Sequence, residues 1–276
     1  MSARAACVIG WPVKHSRSPL IHGYWIRQHG LDADYRREAV APEAFADFIR
    51  NLSARGYVGA NVTIPHKERA LELSEPDERA RAVGAANTLW LDRGRLHSTI
   101  TDVDGFTANL DDAVPDWAAR GGEAVVLGAG GSARAVVHGL IERGVDRINV
   151  INRTLGRANE LQRRFGAVVR AADWSALPGL LPRASLLVNT TSLGMAGEPP
   201  LTVDLSPLSA HSVVTDLVYA PLKTSLLAAG EARGLAVADG LGMLLHQAVR
   251  GFELWFGVRP RVTAELRKLV ETDLAK

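Results

Sequence analysis

The stretch Val125-Val126-Leu127-Gly128-Ala129-Gly130-Gly131-Ser132-Ala133-Arg134 decides how this chain folds. Three apolar residues read as a buried parallel strand, glycines follow at once, and Ser132 to Glu142 has helical composition. Strand, tight turn and helix with glycine-x-glycine-x-x-alanine spacing make the pattern of a dinucleotide site. Gly128 permits the sharp turn, Gly130 lets the backbone approach a pyrophosphate, and Ala133 lets the helix pack closely on its strand. Ala129, Gly131 and Ser132 complete the turn, where the unpaired N–H groups of the first helical turn face the anion. A glycine-rich helix entry with no ligand has the same local pattern, so the neighbouring residues must decide.

Asp146-Arg147-Ile148-Asn149-Val150-Ile151 reads as the second strand and ends in Asn152-Arg153-Thr154, with Arg157 shortly after. A site for NAD places an acid about 20 residues beyond the glycines, to hold the ribose 2′-hydroxyl. Here arginines and small polar side chains stand in its place, and guanidinium forks suit a 2′-phosphate. The expected cofactor is therefore NADP. The alternative is a solvated i, i+4 arginine pair, but cations at a helix N-terminus oppose the dipole, which favours a bound anion.

With 276 residues and this turn near the middle, two lobes are expected. Composition is that of an ordinary globular enzyme, 47% hydrophobic and 22% charged. A net charge of +2 with no basic block gives no reason to invoke nucleic acid. Cys7 is the only cysteine, which excludes an intrachain disulfide and a cysteine-rich metal site. The histidines show no metal-ligand spacing, so no metal is expected. Ala5 to Ile9 is too short for a signal-peptide core, and no apolar run is long enough for a bilayer. The expectation is a cytoplasmic protein, monomer or homodimer, whose partner is a small molecule and not a membrane.

In the first lobe, Ala5 to Ile9 reads as a strand and Ser18-Pro19 as a helix start, Ser at N-cap and Pro at N1, with the helix closing at Gly30. Ser16 and Ser18 stand where a loop meets that helix end, a place for a carboxylate or polyol, or merely for a turn and a cap. Asp34 to Val40 reads as a strand. Phe45, Phe48, Ile49 and Leu52 form a core stripe on a helix opened by Pro42 and Glu43. Tyr57 to Val62 reads as a third strand leading into Thr63-Ile64-Pro65-His66-Lys67, with Asn61 and Thr63 on one side of it. Lys67 falls in the first turn of the next helix, where the dipole disfavours it, and a local rule broken without gain marks function; most lysines, however, are simply surface groups. Gly84 to Asp92, Arg93-Gly94-Arg95 and Leu96 to Thr99 read as a hairpin running into Ile100-Thr101-Asp102-Val103-Asp104.

Beyond the cofactor turns, the spacing predicts a helix over Leu155–Phe165 and strands at Ala167–Val169, Ser185–Asn189 and Ser212–Asp216. Alternation of strands and helices implies a parallel sheet with ligands outside the strands' carboxyl ends, which places Thr190, Thr191, Leu217 and Tyr219 near a nicotinamide. Ala236 onward reads as the start of a long helix through Trp255, carrying Gln247 among apolar residues, and a last helix begins near Thr263.

Ser16-Arg17-Ser18-Pro19, Gly59-Ala60-Asn61-Val62-Thr63-Ile64-Pro65-His66-Lys67, Gly84-Ala85-Ala86-Asn87-Thr88, Thr101-Asp102, the Gly128 turn, Asn152-Arg153-Thr154 and Ala238-Asp239-Gly240-Leu241-Gly242-Met243 together resemble the shikimate dehydrogenase family along nearly the whole chain. The resemblance implies an α/β protein: an N-terminal α/β substrate domain (1–104 and 240–276) and a Rossmann-like, doubly wound parallel-sheet NADP domain (105–239), with a cleft between them. It implies reversible reduction of 3-dehydroshikimate by NADPH in aromatic amino-acid biosynthesis. Lys67 and Asp102 would be the catalytic pair, Ser16 and Ser18 would hold the carboxylate, and Thr63, Asn87 and Gln247 the ring hydroxyls, with Asn61 and Tyr219 nearby. Gly128 to Ala133, Asn152, Arg153, Thr154, Arg157, Thr190, Leu217 and Gly240 would line the cofactor. One position departs: Ile100 stands where the family usually has Asn before Thr-Asp, and cannot make an amide's hydrogen bonds. Three alternatives stay open: His66 in place of Lys67 as base, a quinate/shikimate dehydrogenase with NAD or broader substrate use, and a non-catalytic NADP-binding regulator.

Overall fold

The computed structural model describes residues 4–276. The chain divides into two compact units: residues up to Asp102 with Gln247–Lys276, and Val103–His246.

In the first unit, β1 (Arg4–Gly10), β2 (Ala33–Ala39) and β3 (Tyr57–Val62) are parallel, with α1 (Ser18–Gln28) and α2 (Pro42–Arg50) as crossovers. After α3 (Lys67–Glu72), β4 (Glu75–Pro76) and α4 (Glu78–Val83), the hairpin β5 (Thr88–Asp92) and β6 (Arg95–Thr99) joins β3 antiparallel, giving the order β2-β1-β3-β5-β6-β4. Arg93 and Gly94 both have positive φ, 48° and 78°, the signature of a two-residue hairpin turn matched to strand twist. Phe45, Phe48 and Ile49 of α2 are buried, as their spacing requires. Gly59 serves a close approach: a Cβ there would lie 2.2 Å from Nε1 of Trp255, which donates to the Leu89 carbonyl at 2.8 Å.

In the second unit, β7 (Glu123–Leu127), β8 (Ile148–Ile151), β9 (Val169–Ala172), β10 (Ala184–Asn189), β11 (Val213–Asp216) and β12 (Ala236–Ala238) form one parallel sheet in the order β12-β11-β10-β7-β8-β9. Strand β7 is buried throughout, as a central parallel strand must be. Between the strands run α6 (Gly131–Glu142), α7 (Leu155–Phe165), α8 (Leu177–Leu180) and α9 (Ser225–Ala232). The strand order reverses between β7 and β10, so the Gly128 turn sits at the topological switch point. The unit boundaries fall within α5 (Asp102–Ala113) and α10 (Gly240–Phe256), and α11 (Ala264–Leu274) ends the chain.

Four expectations are corrected. Ala236–Ala238 is an edge strand paired with β11, and the long helix starts only at Gly240. A three-residue apolar run carries no periodicity, so only the vacant sheet edge decides its state. Gly166–Val168 is a 3₁₀ turn, and the strand begins at Val169. Strand β8 starts at Ile148, two residues later than expected. Helix α1 is flanked by Arg17 at N-cap, with Ser18 already inside the first turn.

Candidate functional site

Lys67 is the first residue of α3, and Asp102 opens α5. The two are 35 residues apart, yet Lys67 Nζ lies 2.5 Å from Asp102 Oδ2, with side chains 17% and 9% exposed. Strand β3 delivers Lys67: Thr63 N–H donates to the Ile9 carbonyl at 2.9 Å, and the Lys67 carbonyl accepts from Ala86 N–H at 2.9 Å. Asn87 then secures Asp102. Its Nδ2 donates to Asp102 Oδ1 at 2.8 Å, and its Oδ1 accepts from Thr101 N–H at 2.7 Å. That second bond explains how Ile100 is tolerated, since the turn is anchored from Asn87 while Ile100 is wholly buried in the core. An ionised pair so placed offers a proton donor at Nζ and a carboxylate that fixes it.

His66 does a different job. Its ring is 2% exposed, stacks on Phe45 at 4.3 Å, and its Nε2 bonds the Val40 carbonyl at 2.7 Å. Burial pushes the imidazole below its usual range, with the Val40 carbonyl pulling the other way. Neighbouring residues on a helix point about 100° apart, so seating His66 inward leaves Lys67 for the pair.

Ser16 and Ser18 face one another, Oγ to Oγ at 3.2 Å, beside the start of α1. Arg37 donates to the Ser16 carbonyl and Arg17 pairs with Asp273 at 2.6 Å, which holds this loop on β2 and α11. Thr63 is half-buried against Gly10, where a Cβ would come within 2.4 Å of its methyl. Asn61 is buried, with Oδ1 taken by Tyr35 and Nδ2 by Thr88. Gln247 is buried in α10.

In the second unit, Gly128 has φ +104°, and a Cβ there would stand 2.6 Å from Thr190 Oγ1. The glycine thus admits Thr190, which donates to the Leu127 carbonyl at 2.7 Å. Added Cβ atoms at Gly130 and Gly131 would meet nothing within 4 Å, and α6 has neither a side-chain cap nor an acid in its first turn. Open space over uncapped N–H groups fits a pyrophosphate. At the end of β8, Arg153 and Arg157 are exposed and form no ion pair among the described residues, while Asn152 Nδ2 holds the Thr154 carbonyl at 2.8 Å. These residues fit a 2′-phosphorylated dinucleotide, which would supply a hydride carrier.

Beside this turn, buried Asp216 accepts from Asn189 Nδ2 (2.9 Å), Val218 N–H (3.0 Å) and Thr224 Oγ1 (2.7 Å). Asn189 Oδ1 in turn orders Thr191. Burial pushes the Asp216 carboxyl up, against these three donors. The network shapes the loops bearing Thr190, Leu217 and half-buried Tyr219, and no local signal marks it, because its central pair, Asn189 and Asp216, lies 27 residues apart. Gly240 is explained by packing: a Cβ would meet the Leu217 carbonyl at 2.3 Å.

No group of three or more His, Cys, Asp or Glu is placed to hold a metal among the described residues, and no helix there is long and apolar enough to cross a membrane.

A parallel sheet wound 3-2-1-4-5-6 with a glycine turn at its switch point, in a chain that also carries a buried lysine–carboxylate pair, defines a dinucleotide-dependent oxidoreductase class. Known families narrow it. Residues 8–89 match the shikimate dehydrogenase substrate binding domain, 114–196 the shikimate/quinate 5-dehydrogenase domain, and 240–269 the shikimate 5′-dehydrogenase C-terminal domain. A shikimate dehydrogenase (NADP(+)) of Rhodopseudomonas palustris is 66% identical over 99% of this chain and 98% of its own. Shikimate 5-dehydrogenase of Thermus thermophilus, solved with NADP(H) and shikimate, superposes with TM-score 0.83 at 33% identity, covering 99% and 98% of the two chains. Quinate dehydrogenase of Corynebacterium glutamicum, solved with NAD, gives 0.89 at 30% identity, covering 98% and 99%. The chain belongs to the shikimate dehydrogenase family.

Proposed function

We propose that the protein interconverts 3-dehydroshikimate and shikimate with NADPH and NADP+, a step of aromatic amino-acid biosynthesis, in the cytoplasm. The observation that carries this is the 2.5 Å contact of Lys67 Nζ with Asp102 Oδ2, beside Asn87 and within the unit that matches the substrate domain. The first unit binds substrate and the second the cofactor, which when bound would supply the hydride donor or acceptor.

The chain's residues do the rest. Ser16 and Ser18, with the first N–H groups of α1, bind the carboxylate. Thr63, Asn87 and Gln247 bind ring hydroxyls, Asn87 with its second Nδ2 hydrogen, Tyr219 contacts the ring, and Asn61 braces from behind. Lys67 Nζ gives a proton to the oxygen that becomes the hydroxyl in reduction, and takes it back in oxidation. Asp102 holds the ammonium on that line. Gly128 to Ala133 seat the pyrophosphate, Asn152, Arg153, Thr154 and Arg157 the 2′-phosphate, and Thr190, Leu217 and Gly240 flank the nicotinamide.

The test is shikimate oxidation with NADP+ and with NAD+, quinate alongside. Wild type is expected to prefer shikimate and NADP+. Lys67→Ala should lose about 10²–10⁴-fold in kcat with shikimate binding retained. Unaltered turnover in that variant would remove Lys67 from the mechanism, and preference for quinate or NAD+ would move the protein to its sister activity.

A further inference from the structure

Behind the Lys67–Asp102 pair, Tyr35, Thr88 and Thr101, to which no ligand role falls, join Asn61 and Asn87 in a run of polar side chains. Tyr35 of β2 and Asn61 of β3 lie opposite Ala6 and Val8 of the intervening β1, hence on one face of the sheet. Thr88 of β5 is directly across from Asn61. Tyr35 OH reaches Asn61 Oδ1 at 2.6 Å, Asn61 Nδ2 reaches Thr88 Oγ1 at 3.2 Å, and Thr88 Oγ1 reaches Asn87 Oδ1 at 3.2 Å. Thr101 adds its N–H and, at 3.1 Å, its hydroxyl to the same Asn87 oxygen. Tyr35, Asn61, Asn87, Thr88, Thr101 and Asp102 are all below 9% exposed.

Fixed donors and acceptors orient the two amides. The Thr101 N–H can only donate, so Asn87 turns Oδ1 to it and Nδ2 to Asp102. The Asn87 carbonyl can only accept, and it lies 3.4 Å from Asn61 Nδ2. Asn61 Oδ1 therefore faces Tyr35, whose phenol donates. Thr88 accepts from Asn61 and donates its single proton to Asn87 Oδ1 or to Thr101 Oγ1, each 3.2 Å away, and Thr101 passes its own proton to the same Asn87 oxygen. Every hydrogen from Tyr35 to Asp102 points the same way, toward the carboxylate, and aligned bonds in a dry interior reinforce one another.

We infer that Tyr35, Thr88 and Thr101 are positioning residues for the Lys67–Asp102 pair. Their chain fixes the Asn87 amide, the amide fixes Asp102 Oδ1, and Oδ2 is left aimed at the ammonium. The Tyr35 ring is held by stacking on His22 at 4.1 Å, so the chain has a rigid far end. The inference rests on the proposed reaction for its kinetic readout and on the structure alone for its spectroscopic one.

Tyr35→Phe, Thr88→Val, Thr88→Ser, Thr101→Val and the Tyr35→Phe/Thr88→Val double variant test it, by kcat and KM for shikimate oxidation and by the Lys67 15Nζ ammonium resonance without substrate. Tyr35→Phe should lower kcat about 3–10-fold with KM within about twofold, and Thr88→Val somewhat more. Thr88→Ser keeps the hydroxyl and should restore wild-type kcat. Because Thr88→Val cuts the same chain downstream, the double variant should match it rather than multiply the losses. The ammonium resonance should broaden in each interrupted variant, and Thr101→Val replaces any that fails to fold. Unchanged kcat, multiplied losses or a pure KM effect overturns the inference. If wild type oxidises neither shikimate nor quinate, the functional proposal fails, and an ammonium signal unaltered in every variant overturns the chain separately.

Discussion

Replacing Arg153 and Arg157 by serine should change which nicotinamide cofactor the protein prefers. Both side chains are exposed, form no ion pair among the described residues, and flank the start of α7 next to Asn152. A charge-assisted contact to phosphate is worth about 1.5–3 kcal/mol, and exposure to water puts these at the lower end, about tenfold each. Each single variant should therefore lose about tenfold in kcat/KM for NADP+. The double variant should lose about 30–80-fold, somewhat less than the product because both arginines hold one ligand group. NAD+ lacks that phosphate, so its kcat/KM should stay within about twofold, and raising salt should weaken NADP+ use more than NAD+ use. Initial rates with both cofactors at saturating shikimate provide the measurement. Equal losses for the two cofactors, or none for NADP+, would refute the placement of the 2′-phosphate.

His66→Phe keeps the ring on Phe45 but strands the buried Val40 carbonyl; stability should fall by about 1–3 kcal/mol while the pH dependence of kcat keeps its shape, and disappearance of one limb of that profile would make His66 the base after all. His22 is wholly buried among aromatic rings, and burial pushes its imidazole down to about 3, with the Asn61 side chain only partly opposing. The unfolded chain thus takes up this proton first, so stability is complete above about pH 6.5 and falls toward pH 3 by up to about 1.4 kcal/mol per pH unit. Urea unfolding of His22→Phe between pH 7 and 4.5 should show a flatter decline, and an identical slope would contradict a neutral buried His22. At Gly242 a Cβ would fall 1.8 Å from Asn109 Oδ1, whose amide caps the Asp239 carbonyl at 2.6 Å. Gly242→Ala should lower Tm by several degrees, and most of that loss should vanish when Asn109 is already Ala; additive losses would mean the clash lies elsewhere.

The environment of Lys67 shows where local signals stop. A lysine in a first helical turn is conspicuous because the helix dipole opposes it, and that much is visible in a linear string. Its partner is not: Asp102 and Asp104 are equally good helix-start acids, and family likeness rather than spacing singled out Asp102. The choice is made by Asn87, held between Thr101 and the carboxylate. His66 and Lys67 were rivals for the same reason, since two adjacent residues on a helix differ only in which one the packing buries. Strand alternation puts Asn61 on the side of Thr63 and no more; only the structure shows its amide bonded at one end to Tyr35 and at the other to Thr88.

What the sequence determined by itself is local and periodic. The Gly128 turn, the uninterrupted apolar β7, the bounds of β3 and α7 and the absence of an acid after β8 depend only on residues near one another, whose conformational preferences and charges act over a turn or a strand. What tertiary structure alone decided is everything that depends on a vacancy or a neighbour. Ala236–Ala238 became a strand because β11 had an open edge, Gly240 and Gly242 are needed because the Leu217 carbonyl and Asn109 press against them, and the hydrogens from Tyr35 to Asp102 align only once β2, β3 and β5 share a sheet. Such contacts join residues tens of positions apart, and their energies exist only after the chain has brought them within hydrogen-bonding distance.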